Sequence, residues 1–246
     1  MSEDPLVRKP KPILAPVERV IAHDRRRHSL YTLLFGTGVC AGMLLVRFVC
    51  AGNLRFSGLF GNLLLAWIPL VLALVIRQMP GGNRRFWFWT ATLLWILFFP
   101  NAFYLVTDLI HMKKFGTDGI FRWFDMLMTT GFACGGIFLG CLSLYLMHLL
   151  VRQRFGWRIG WLFAGGMLAL GSFGIYLGRF LRLNSWDVIT RPFKLAGNVS
   201  SLIKPQSSTE VIAFSLTFFF SLAAYCFVVS VARLHEAPIQ KAPEAH

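Results

Sequence analysis

Two short stretches of this sequence contain most of the polar side chains that could do chemistry, and the first of them follows Pro100. Four polar residues there are spaced three, four and three positions apart, so a helix would present them on one face. They are Asn101, Tyr104, Asp108 and His111. Asp108 and His111 are one helical turn apart and could form an acid–base pair or supply two metal ligands. Two ligands are too few for a metal site, so the spacing favours a hydrogen-bonded pair and no metal.

The second stretch is rich in arginine. Arg179 and Arg182 lie one turn apart, and Arg191 could join them if the chain folds back. Guanidinium groups bind carboxylates or phosphates through two parallel hydrogen bonds. The same stretch contains other polar residues, which we expect to form one polar cluster with the residues after Pro100. These are Tyr176, Asn184, Trp186 and Asp187.

These arginines have two competing interpretations. They could pair with Asp108, Asp125 and Asp187 and so lock the ends of the helices together. Alternatively, they could leave a positive pocket that binds an anionic headgroup or substrate. Charges inside membrane proteins usually pair with one another, which favours the lock.

The elements that must position these residues are six apolar segments. The chain is 56% hydrophobic and only 15% charged, far more apolar than a soluble domain. Each segment is near the roughly 18 to 25 residues that cross a bilayer as a helix, and none contains Asp, Glu, Lys or Arg. They are Ser29–Val46, Leu59–Ile76, Phe86–Val106, Met126–Val151, Ile159–Leu177 and Val211–Ala232. The sequence therefore predicts an all-α, polytopic transmembrane helix bundle in contact with the lipid bilayer.

Basic residues are distributed unevenly between alternate connections. The net charge of +14 does not indicate nucleic-acid binding here, because arginines at span ends set orientation and contact anionic lipid. One set of connections, with both termini, holds 15 Lys and Arg, against 10 for the other set. Both termini are therefore expected on the cytoplasmic side. This topology places Asn101–Asp125 and Arg179–Arg191 together on the outer side.

Outside the spans, two charged, proline-containing ends are predicted. Residues 1–28 are expected to form a flexible basic arm, with a helical turn near Val17–His28, and residues 233–246 a flexible tail. Residues 29–232 form the membrane domain. His148 lies about 30 Å of helix from Asp125, so it cannot join the outer cluster. We expect a core or interfacial histidine with its polar atoms satisfied. The five cysteines lack disulfide or metal spacing.

Glycines at four-residue spacing predict close packing between helices, because each ridge lets two backbones approach in lipid. The pairs are Gly38 with Gly42, Gly131 with Gly135, Gly136 with Gly140, and Gly174 with Gly178.

Four runs of residues resemble a known family. In chain order they are FFPNAFYLVTDLIHM, FRWFDMLM, SLYLMHLLV and FGIYLGRFLRLNSWDVI. They resemble the bacterial membrane family catalogued as domain of unknown function 1361, over roughly residues 30–232. The resemblance implies a multi-pass protein of the bacterial inner membrane. It implies no activity, cofactor or catalytic residue.

Three functions remain open on the sequence. The first is an enzyme acting on a lipid-linked anion at the outer leaflet, with Asp108, His111 and Asp187 as candidate catalytic groups and the arginines holding the anion. The second is a small transporter or lipid-translocating protein. The third is a non-catalytic membrane component, such as an assembly factor or partner subunit, whose polar clusters only fasten helices. The chain could also form a homo-oligomer. No cofactor is expected, and no reaction-defining motif is present.

Overall fold

The computed structural model describes residues 15–52, 56–79, 85–109, 119–180 and 208–236. These residues form helices and no strand. The helices are α1 (Ala15–Ala51), α2 (Ser57–Gln78), α3 (Arg85–Thr107), α4 (Gly119–Phe155), α5 (Trp157–Phe180) and α6 (Ser208–Glu236). All six are long and apolar enough to cross a membrane, which confirms the predicted class of fold. Helix α1 begins at Ala15. The stretch Val17–His28, for which a helical turn was predicted, is therefore part of this long helix.

Helices α2, α3 and α4 form the centre of the bundle, and α1 and α6 lie at its periphery. Half of the residues in the α4 span are buried within the protein, against 11% in α1 and 17% in α6. The exposed side chains of α1 and α6 are nonetheless apolar, as at Phe35, Val49, Leu216 and Phe227. Such a surface suits a bilayer, in which lipid tails cover apolar helix faces.

Glycines bring α4 and α5 into close contact with α3. A Cβ atom on Gly140 would lie 2.9 Å from the Phe103 ring, and one on Gly174 would lie 2.7 Å from the Pro100 ring. A Cβ on Gly136 would collide with the backbone carbonyl oxygen of Ala102. The predicted close approach is therefore confirmed along α4 and α5.

The same prediction is wrong for α1. Among the described residues, no atom lies within 4 Å of a Cβ built on Gly38 or Gly42. That face of α1 contacts no other described helix, because α1 packs on α4 through a different face, where Cys40 and Arg47 are buried. The surroundings of Gly178 lie outside the described residues.

A row of aromatic side chains fixes α3 in the middle of the bundle. Trp95 and Phe99 pack with ring centroids 5.0 Å apart, and Phe99 meets Phe103 edge-on at 5.5 Å. All three are buried. The indole nitrogen of Trp95 donates a hydrogen bond of 2.7 Å to the Ser143 hydroxyl of α4, so its polar atom is satisfied inside the bundle. This packing fixes α3 against α4.

Candidate functional site

The polar groups of α1 to α4 gather at one end of the bundle. Successive helices reverse direction, so the last turn of α1 and α3 and the first turns of α2 and α4 lie at this end. We call it the Asp125 end, and the opposite end, where α4 finishes and α5 begins, the His148 end. Four polar residues at the Asp125 end contact one another in pairs. They are Arg47, Asn62, Asp108 and Asp125.

The first pair is an ion pair between α1 and α4. The Nε of Arg47 donates to Oδ1 of Asp125 at 2.5 Å, and Nη2 donates to Oδ2 at 3.2 Å. Arg47 is only 7% exposed and Asp125 is fully buried. The two parallel hydrogen bonds match the planar guanidinium to the planar carboxylate, which is the strongest geometry for such a pair.

The surroundings of this pair hold both partners in place. The Thr129 hydroxyl donates to the backbone carbonyl of Asp125 at 2.8 Å, one turn along α4. The guanidinium carbon of Arg47 lies 5.7 Å from the centroid of the Phe56 ring, within the range of a cation–π contact. Phe56 immediately precedes α2, so the pair draws three helix ends together.

The second pair links α2 to α3. The Asn62 amide donates to Oδ2 of Asp108 at 3.2 Å, and both side chains are half-buried. Asp108 has at least one further interaction besides this one. The structure thus connects α1 with α4 and α2 with α3 through carboxylates at the same end.

The predicted stripe of α3 is only partly buried. Asn101, Tyr104 and Asp108 are half-buried, whereas Leu105 between them is fully buried. Helix α3 ends at Thr107, whose hydroxyl donates to the Tyr104 carbonyl at 2.7 Å. His111, the fourth member of the stripe, lies outside the described residues.

The arginine-rich stretch falls almost entirely outside the described part of the chain. Arg179 and Tyr176 lie in the last turns of α5, but the structure describes only their backbone. The rest of the predicted cluster lies in residues 181–207, which the structure does not describe. Its members are Arg182, Asn184, Trp186, Asp187 and Arg191. Their predicted approach to Asp108 therefore stays a prediction.

Sequence reasoning missed Arg47 and Asn62. Arg47 directly follows the predicted end of the first span and is one of the ten Lys and Arg expected on the outer side. Asn62 was overlooked inside an apolar segment. One feature of the sequence could have indicated the ion pair. Arg47 follows the first uncharged span and Asp125 precedes the fourth, and both positions lie on the same predicted side of the membrane.

A smaller polar cluster lies at the His148 end. His148 of α4 and Tyr225 of α6 are both buried, with Nδ1 of the ring 2.5 Å from the phenol oxygen. Trp161 of α5 meets the His148 ring edge-on at 5.0 Å. A Cβ on Gly160 would lie 2.9 Å from that ring, so α5 packs directly against it. His148 is thus a packed core histidine that joins three helices.

The described residues form no group of three His, Cys, Asp or Glu side chains that could hold a metal ion. Comparison with protein families gives one match. A family model described as "Protein of unknown function (DUF1361)" covers residues 62–224. No curated protein and no solved structure matches the chain.

Proposed function

Since this chain belongs to the DUF1361 family of unknown function, we propose its function from its geometry: a multi-pass membrane protein in which buried polar groups fasten helices at the Asp125 end. The observation that carries this proposal is the buried ion pair between Arg47 and Asp125. In this role the cluster is structural, as in a non-catalytic membrane component.

The ion pair is well placed to hold α1 on the bundle. Helix α1 is little buried along its span, so few apolar contacts attach it. A side-chain hydrogen bond also reaches α1, from the Trp67 indole nitrogen of α2 to the Thr37 hydroxyl at 3.1 Å. In an apolar medium, separating the ion pair would leave two charges without compensation. The fastening therefore depends on both charges together.

The geometry also favours the lock over an anion-binding pocket for this arginine. Asp125 neutralises Arg47 and occupies two of its hydrogen-bond donors. An incoming phosphate or carboxylate would have to displace a buried carboxylate, which makes binding unfavourable. Among the candidate acid–base groups of an enzyme, Asp108 accepts a hydrogen bond from the amide of Asn62, and His111 and Asp187 lie outside the described residues.

The membrane and orientation complete the proposal. We place the protein in a bacterial inner membrane with both termini cytoplasmic and the Asp125 end facing outward. The orientation is supported by the excess of Lys and Arg, 15 against 10, in the connections assigned to the cytoplasmic side.

A double-mutant cycle tests the fastening. We would measure unfolding in one detergent for Arg47→Met, Asp125→Leu and the double variant. Each single change leaves one buried charge without its partner and should lower the free energy of unfolding by about 3–5 kcal/mol. The loss should be nearer the lower value for Asp125→Leu, because Arg47 lies near a helix end and its side chain can reach water. The double variant should recover most of that loss, because an apolar pair can replace a buried ion pair at little cost.

The matched control is Arg122→Met, which removes an exposed arginine of the same end. Its unfolding free energy should change by no more than about 0.5 kcal/mol. Single variants as stable as wild type, or losses that simply add in the double variant, would contradict the lock. Raised stability would instead indicate charges kept for chemistry, as at many functional sites.

A further inference from the structure

The turn between α4 and α5 carries three exposed arginines, which we call the arginine turn (residues 152–158). They are Arg152, Arg154 and Arg158. The two aspartates whose side chains the structure describes, Asp108 and Asp125, both lie at the opposite end of the bundle. Among the side chains that the structure describes, no carboxylate lies at the end of the bundle that carries these exposed arginines.

The turn is held by its backbone and by tight packing. Gly156 has φ +90°, a conformation that favours glycine, and its N–H donates to the Arg152 carbonyl at 2.9 Å. The Gly160 N–H donates to the Gly156 carbonyl at 3.1 Å. A Cβ on Gly160 would lie 2.9 Å from His148 and 3.0 Å from Cβ of Arg152. The arginines thus project from two helices that are fixed closely together.

Large apolar side chains surround these charges. Phe155 is 58% exposed and Trp157 is 61% exposed, and Leu162, one turn further along α5, is exposed as well. Tryptophan is enriched at the boundary between hydrocarbon and headgroups, where its apolar body and polar N–H are both accommodated. Arginine beside it can keep its stem in the apolar layer and its charge among the headgroups.

The two ends of the bundle differ in charge. Among the side chains that the structure describes, the His148 end carries four arginines and no carboxylate. They are Arg77, Arg152, Arg154 and Arg158, of which the last three form the arginine turn. The Asp125 end carries two arginines and two aspartates, one of each joined in the ion pair. Positive charge at the membrane boundary is complementary to anionic lipid.

We propose that the arginine turn binds the headgroups of anionic phospholipids in the leaflet at the His148 end. Guanidinium groups bind phosphate through paired hydrogen bonds, and the exposed rings of Phe155 and Trp157 lie in the adjoining acyl boundary. A juxtamembrane arginine near an anionic surface strengthens binding about fivefold, so three together contribute about 100-fold.

The test is a lipid titration of the full chain in a neutral detergent, followed by thermal unfolding. Phosphatidylglycerol should raise the unfolding temperature of the wild type, since a ligand that binds only the folded state stabilises it. Phosphatidylcholine and inorganic phosphate should not. The triple variant Arg152→Gln, Arg154→Gln, Arg158→Gln should need about 100-fold more phosphatidylglycerol for the same shift.

Arg122→Gln, at the opposite end, is the control and should respond as the wild type does. If the triple variant does not fold, Arg154→Gln and Arg158→Gln singly should each weaken the response about fivefold. An undiminished response in the arginine variants would overturn the proposal. So would a wild type that responds equally to phosphatidylcholine or to inorganic phosphate, or that shows no shift with phosphatidylglycerol.

Discussion

Replacing Gly136 by alanine tests whether α3 and α4 pack as closely as the structure shows. The added Cβ would collide with the Ala102 carbonyl oxygen of α3 and would lie 2.8 Å from a methyl carbon of Leu105. The first obstacle is backbone, which cannot rotate away as a side chain can. The two helices would have to separate at their closest point.

The cost follows from overpacking. Forcing one extra carbon into a well-packed interior costs about 1–3 kcal/mol, and the backbone obstacle places this case in the upper half of that range. For a chain of this size, each 1 kcal/mol lowers the unfolding temperature by roughly 2–4 °C, so Gly136→Ala should lower it by roughly 4–12 °C. Intrinsic helix propensity favours alanine by up to about 1 kcal/mol. The net cost is then about 1–3 kcal/mol, and the expected decrease in unfolding temperature becomes roughly 2–12 °C.

Gly166→Ala on α5 is the matched control, because no atom lies within 4 Å of its Cβ position among the described residues. The higher helix propensity of alanine is then the main effect of this substitution, so the variant should unfold at the wild-type temperature or slightly above. Thermal unfolding of both variants in one detergent decides the matter. If Gly136→Ala is as stable as Gly166→Ala, the helices do not approach as closely as described, and the reasoning fails.

Two further predictions concern the His148 end and the orientation of the bundle. Tyr225→Phe removes the hydroxyl that meets His148 and should lower the unfolding free energy by about 1–2 kcal/mol, whereas Phe227→Leu on the exposed face of α6 should change it little. In a cysteine-free background, a membrane-impermeant thiol reagent should label Trp123→Cys from outside the cell and Arg154→Cys only after the membrane is opened. The reverse pattern would place both termini outside.

The sequence predicts the class of fold well, because the cost of burying charge in lipid is large. Uncharged stretches such as Leu59–Ile76 and Met126–Val151 have no stable alternative to a membrane span, so six helices could be assigned from composition alone. The family expectation was likewise confirmed, over residues 62–224. Span ends were less certain, as α4 continues to Phe155, beyond the apolar stretch.

The partners of the polar groups were much harder to predict. The sequence identified Asp108 and Asp125 but could not choose among ten Lys and Arg on the same predicted side. The pairing of Asp125 with Arg47 depends on how α1 rotates against α4, and seventy-eight positions separate the two residues in the chain. Spacing along one helix gives the face of a residue, but the neighbour on another helix depends on packing.

The two ends of the bundle make the two proposals independent of each other. At the Asp125 end a buried arginine is neutralised within the chain, so its removal should change stability and leave the lipid response intact. At the His148 end the three arginines of the arginine turn are exposed, so their removal should change the lipid response and leave detergent stability nearly unaltered. Exposure and pairing, rather than residue type, determine which role an arginine takes here. Measuring both properties on both sets of variants therefore distinguishes a fastening charge from a headgroup-binding one.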